Sequence, residues 1–213
     1  MDKTCIAMDE RPKDLLEHAY AIVHRADKDF KIEGAVNYFG PEVAERMYDI
    51  SFAFREPLLT PEQLSNHLAK GNMVTIYTCC SPQRPNTFID SSPTESTFLG
   101  WYAAAAGYSG YLRWAYNSWV KDPNVDARFR TWRAGDCYLV YPEGPSIRME
   151  RLIEGIQDFE KIGILRQNLS AEKAGKLDAQ LDKILKVDWN TATESEVSAL
   201  VNEAKALLRT IEK

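Results

Sequence analysis

The sequence is poor in the residues that build metal centres and disulfide frameworks. Its 213 residues hold three histidines and four cysteines. His18, His24 and His67 are scattered through stretches of helical pattern, and each reads as an ordinary surface or boundary residue. Cys79 and Cys80 are adjacent, and no pair of cysteines has the C-x2-C spacing of a zinc site. Neither a metal nor an organic cofactor is therefore expected. No apolar run approaches the ~18 residues of a membrane span. The opening MDKTCIAMDERP has no long apolar stretch, so no signal peptide is expected in this chain. An excess of basic charge is missing too. Lys+Arg is 26 against 31 Asp+Glu, a net charge of −5, which excludes a nucleic-acid surface spread over the whole protein. Phosphate-binding loops are also absent. The GYSG at 107–110 lacks both the spacing and the position of a dinucleotide turn, and no G-x-x-x-x-G-K-[ST] occurs. With 45% hydrophobic and 27% charged residues, what remains is a globular chain able to bury a large core without such supports.

Short apolar runs alternate with amphipathic stretches. CIAM at 5–8 reads as a strand that ends in Asp9-Glu10 and is broken by Arg11-Pro12. Residues 13–27 carry Leu15, Leu16, Ala19, Ile22 and Val23 at helical spacing. Further strands are predicted over 30–36, 49–54, 73–78, 111–115 and 137–141, the third being richest in β-branched and aromatic residues. Helices are predicted over 41–47, from the Thr60 cap to Gly71, over the alanine-rich 93–107 and over 147–165. Two more follow near 170–186 and 194–212, the second capped by Thr191 or Thr193. The chain thus divides into an α/β region, 1–166, and a helical extension, 167–213. Such alternation gives βα units and a mainly parallel sheet, either open and doubly wound or part of a barrel. In a barrel, chemistry sits at the C-terminal ends of strands. That rule selects Asp9-Glu10, Tyr77-Thr78 and the segment 114–119.

Two adjacent carboxylates at a strand end can divide acid catalysis between them. One donates a proton while its ionised neighbour orients a polar group or stabilises a cationic intermediate. The plainer reading is that Asp9 caps the helix starting near Pro12 and Glu10 faces its N-terminal dipole. GYLRWAYNSW at 110–119 puts four aromatic rings, an arginine and an asparagine on one strand and its exit. Aromatic faces beside hydrogen-bonding groups suit the apolar face and polar rim of a sugar. Tyr111 and Trp114 could equally fill core space.

MDERP, GYLRWAYNSW and the run GDCYLVYPEGPSIRMERLIEGIQDFEKIGIL together resemble the C-terminal part of the catalytic region of glycoside hydrolase family 123, over residues 3–166. The YP-x-G step, the S-I-R-x-E-x-L helix opening and the G-I-x-D-x-E within that helix follow in order. The resemblance implies an α/β fold that is the C-terminal portion of a (β/α)8 TIM barrel, with five barrel strands and added C-terminal helices. It implies a retaining β-N-acetylgalactosaminidase, or a close β-N-acetylhexosaminidase, in which the substrate's acetamide is the nucleophile. On this resemblance Asp9 holds the acetamido N–H, Glu10 is the general acid and base, and Tyr77 bonds the acetamido oxygen. Trp114 and Trp119 wall the sugar, and Tyr116 and Asn117 make polar contacts. Arg148 and Glu150 match the family's helix opening, with a structural role favoured.

The five strands would be barrel strands four to eight, so the chain reads as a fragment whose parent is secreted or periplasmic. The partner expected is a glycan. The cut edges would be shielded by the tail helices or by a two-fold dimer. A non-catalytic carbohydrate-binding or structural remnant is the competing expectation, and a plain interaction domain is the third.

Overall fold

The computed structural model describes residues 4–36, 46–54 and 59–212. The helix expected over 41–47 lies, up to residue 45, outside the described residues. The sheet has five strands, β1 (Cys5–Met8), β2 (Lys31–Ala35), β3 (Asp49–Ala53), β4 (Met73–Thr78) and β5 (Gly110–Arg113). They lie side by side in chain order, β1-β2-β3-β4-β5. A doubly wound sheet reverses its strand order at a switch point. This order never reverses, which is the winding of a barrel segment with intervening helices. The fold is therefore an open parallel half-barrel, the portion of a (β/α)8 barrel that the sequence implies. The chain forms two compact units, Met1–Tyr77 and Thr78–Lys213.

In the first unit β1 to β4 pair in parallel, with Ile6 opposite Ile32, Gly34 opposite Ile50 and Ile50 opposite Val74. Strands covered on both faces lose the apolar/polar alternation. Ile50, Ser51 and Phe52 of β3 and Val74 to Thr78 of β4 are accordingly buried in succession. The α1 helix (Lys13–Ala26) buries Leu16 and Tyr20. The α2 helix (Pro61–Ala69) starts with the capping box that Thr60 announces, closed by Gln63, and Gly71 follows it at φ +77°. His67 departs from the expectation of a surface residue. It is buried on α2, and burial holds its imidazole below the usual range.

Asp49 is also buried, at the entry of β3, where Thr75 Oγ1 donates to it at 3.2 Å. Burial first, and then the Glu33 charge, push its carboxyl from 3.8 up to about 6, against the opposing Thr75 hydrogen bond. The folded state therefore prefers the protonated acid. That contribution is complete below pH 3.8, where both states hold the proton, and is lost as the pH rises through about 6. Asp49→Asn keeps an acceptor for Thr75 and removes the ionisation. Its melting temperature should exceed that of the wild type above about pH 7 and converge with it near about pH 4. Thermal denaturation across that range is the check, and a gap independent of pH would reject the assignment.

The second unit holds β5, a small hairpin of β6 (Val140–Tyr141) and β7 (Gly144–Pro145), and four helices: α3 (Pro93–Ala105), α4 (Ile147–Arg166), α5 (Ala171–Leu185) and α6 (Glu194–Ile211). The strand expected over 137–141 is only two residues long. The Gly135 and Tyr138 carbonyls accept from Arg148 instead, and Tyr138 makes only an isolated bridge to Asn117. The α3 helix is buried through Phe98, Leu99, Trp101 and Ala103. It packs closely on α4, because a Cβ on Gly155 would lie 2.5 Å from the Thr97 carbonyl oxygen. Trp101 Nε1 donates to Asp158 of α4 at 2.9 Å, and Lys205 of α6 pairs with the same carboxylate. Thr193 caps α6 in a box with Glu196, which decides between the two threonines.

Candidate active site

Asp9 and Glu10 follow β1 directly, and Tyr77 stands one residue before the end of β4. The parallel strands bring these ends to one edge, and the Tyr77 hydroxyl donates to Glu10 Oε1. The Tyr77 ring is buried and its carbonyl accepts from Phe54 N at 2.9 Å, so the phenol is held from both ends. A hydroxyl donating to a carboxylate is among the stronger hydrogen bonds. Asp9 turns elsewhere. Its side chain is 70% exposed and pairs with Arg11 at 3.4 Å. It does not cap α1 either. Pro12 is the N-cap residue, with no side-chain cap, and its carbonyl receives Leu15 N and Leu16 N.

In the second unit β5 carries Arg113 into a buried network. Its guanidinium donates to Asp136 Oδ1 at 2.6 Å, to the Asp136 carbonyl at 2.5 Å and to the Thr78 carbonyl at 2.5 Å. The two side chains are 4% and 0% exposed. Thr78 Oγ1 shares a hydrogen with Tyr111 at 2.6 Å. Asp136 Oδ1 also accepts from Trp114 Nε1 at 3.3 Å. The ion pair thus holds the edge of an indole whose body is exposed. The Tyr116 carbonyl accepts from Leu139 N, and Asn117 bridges to Tyr138. Trp119 donates its indole N–H to the Val140 carbonyl at 2.8 Å while its ring stays exposed. Arg148 is buried and donates to the Thr87, Gly135 and Tyr138 carbonyls, so it ties the loop to α4, whereas Glu150 is exposed.

Sequence reasoning passed over Asp136, which stands just before the strand expected at 137–141, and over Phe129 and Trp132 in 122–133, a stretch that reads as a charged loop. Two aromatics three residues apart in so polar a segment were the available signal. Among the described residues, no group of three histidine, cysteine or acidic side chains could hold a metal ion. Among them, no helix is long and apolar enough to cross a membrane.

The sheet is thus a parallel half-barrel with carboxylates and a tyrosine at strand ends of the first unit, and exposed tryptophans follow β5 in the second. The model of the glycoside hydrolase 123 catalytic domain matches residues 1–165, and the chain belongs to that family. Among solved structures, it is similar to a family 123 glycoside hydrolase from Clostridium perfringens, described for glycolipid glycan hydrolysis. The two share 26% identity at a TM-score of 0.76 over 98% of this chain. The chain spans 40% of the length of that protein. No curated protein matches the sequence.

Proposed function

We propose that the chain carries the acid–base site of a retaining β-N-acetylgalactosaminidase that uses its substrate's acetamide as the nucleophile. In this reading the acetamido oxygen attacks the anomeric carbon as the glycosidic C–O bond breaks. Glu10 gives its proton to the departing oxygen, and an oxazolinium intermediate forms. The Glu10 carboxylate then takes a proton from the water that attacks the same carbon, as the bond from that carbon to the acetamido oxygen breaks; this restores the acid, the acetamide and the original configuration. Asp9 orients the acetamido N–H once it exchanges Arg11 for substrate, and Tyr77 turns its one hydroxyl hydrogen from Glu10 to the acetamido oxygen when substrate binds. Trp114 and Trp119 flank the sugar, with Tyr116 and Asn117 beside its hydroxyl groups. One observation carries the proposal: a buried phenol from β4 holds the carboxylate that follows β1.

The competing reading is a carbohydrate-binding remnant without turnover. The exposure of Asp9 and its ion pair with Arg11 favour it. The test is incubation of the full chain with an aryl 2-acetamido-2-deoxy-β-galactoside. Release of the aryl group with retention, inhibited by a thiazoline analogue of the intermediate, is the expected result. Sugar binding with no release over prolonged incubation would select the remnant.

A further inference from the structure

Among the described residues, every exposed aromatic side chain lies between positions 114 and 132. Three of them form one surface. Trp114 and Trp132 meet edge to face with centroids 4.8 Å apart, and Phe129 meets Trp132 at 5.8 Å. Their exposures are 39%, 37% and 37%. In such contacts a ring covers at most one face of its neighbour, so broad apolar faces stay open to water. Each Å² left wet forgoes about 25 cal/mol of burial. A loop that served only to join β5 to α4 would gain nothing from this arrangement.

The loop is nevertheless built to keep the rings where they are. Trp132 N donates to the Phe129 carbonyl at 3.1 Å, and Gly135 N donates to the Ala127 carbonyl at 3.0 Å. Arg133 is tied to Asp90 and to Gln83, both at 2.5 Å, and its guanidinium lies over the Phe88 ring. Gly135 has φ +79°, and a Cβ there would come within 2.8 Å of Arg148 Nη1. Behind the surface, the buried Asp136–Arg113 pair fixes Trp114. Three partly exposed rings fall well short of the ~800 Å² per partner of a stable protein interface. A charged donor lies beside them, the Arg130 guanidinium 5.2 Å from the centroid of the Phe129 ring. Fixed ring faces with polar donors alongside are the chemistry that holds a pyranose.

We infer that Trp132 and Phe129 form a second sugar subsite. It stacks the pyranose bonded to the N-acetylhexosamine that Trp114 flanks. This rests on the sugar-binding reading of Trp114 proposed above. A terminal N-acetylhexosamine has one neighbour in a linear glycan, so the occupant is the sugar that departs on cleavage.

Calorimetric titration of the full chain tests the assignment, with wild-type and substituted position 132 compared in a common Glu10→Gln background that slows cleavage of the probes. The probes are methyl β-N-acetylgalactosaminide and the methyl glycoside of the β-N-acetylgalactosaminyl-galactose disaccharide. The wild type should bind the disaccharide about 2- to 12-fold more tightly, the range of one aromatic stacking contact. Trp132→Ala should abolish that preference and leave monosaccharide affinity unchanged, and Trp132→Phe should retain most of it. A preference that survives Trp132→Ala overturns the subsite, as does equal binding of both sugars by the wild type. Failure of the wild type to bind either sugar removes the Trp114 reading along with it. A concentration-dependent dimer that Trp132→Ala dissociates, with the sugar preference unmoved, would give the surface to a second copy of the chain.

Discussion

Glu10→Gln is expected to lower kcat/KM by about 10²- to 10⁴-fold on a β-N-acetylgalactosaminide with an unactivated leaving group. Glutamine occupies the same space and can still accept from Tyr77, so the difference reports the lost proton rather than lost shape. An aryl glycoside with an acidic phenol needs little protonation as it leaves, and its first step should be nearly unaffected. Asp9→Asn should behave differently. On the proposed mechanism it would weaken the orientation of the attacking acetamide and so slow both substrates alike. Steady-state kinetics on the two leaving groups separate these roles. Equal rates for wild type and Glu10→Gln on the unactivated glycoside would remove Glu10 from the mechanism.

The second large effect is on stability. Asp136→Ala leaves the Arg113 guanidinium buried without its carboxylate and the Trp114 indole N–H without its acceptor. Breaking a buried ion pair by removing one partner costs about 3–5 kcal/mol. The two backbone carbonyls that remain on Arg113 place the expected loss toward the lower end of that range. The Asp126–Arg128 pair is the internal control, because both side chains are exposed and water screens them. Asp126→Ala should leave the denaturant midpoint unmoved while Asp136→Ala shifts it strongly. Equal midpoints for the two variants would show that the buried network does not hold the unit together.

How much of this the sequence determines alone depends on the range of the forces involved. The β4 strand lies at 73–78 as its β-branched and aromatic residues predict, and the Thr60 cap falls where the local pattern puts it. The position of Asp9 and Glu10 just past a strand was legible for the same reason, since a proline after the pair must break the strand. Periodicity, capping and chain breaks act over a few residues, and a linear reading contains them in full.

Only the tertiary structure separated the surroundings of the adjacent carboxylates. Glu10 meets Tyr77, 67 positions along the chain, while Asp9 meets its near neighbour Arg11. The same holds for the strand expected at 137–141. It has the composition of a strand, but its carbonyls accept from Ser118 N, Arg148, Ser146 Oγ and Trp119 Nε1 in turn rather than from one neighbouring strand. Burial of His67 and Asp49, and exposure of Phe129 and Trp132, were likewise settled by what packs against each side chain. An apolar ring in a charged loop and an acid at the head of a strand look ordinary in one dimension. Their chemistry comes from neighbours that folding alone brings within reach, because burial and hydrogen bonding are set by distance in space rather than along the chain.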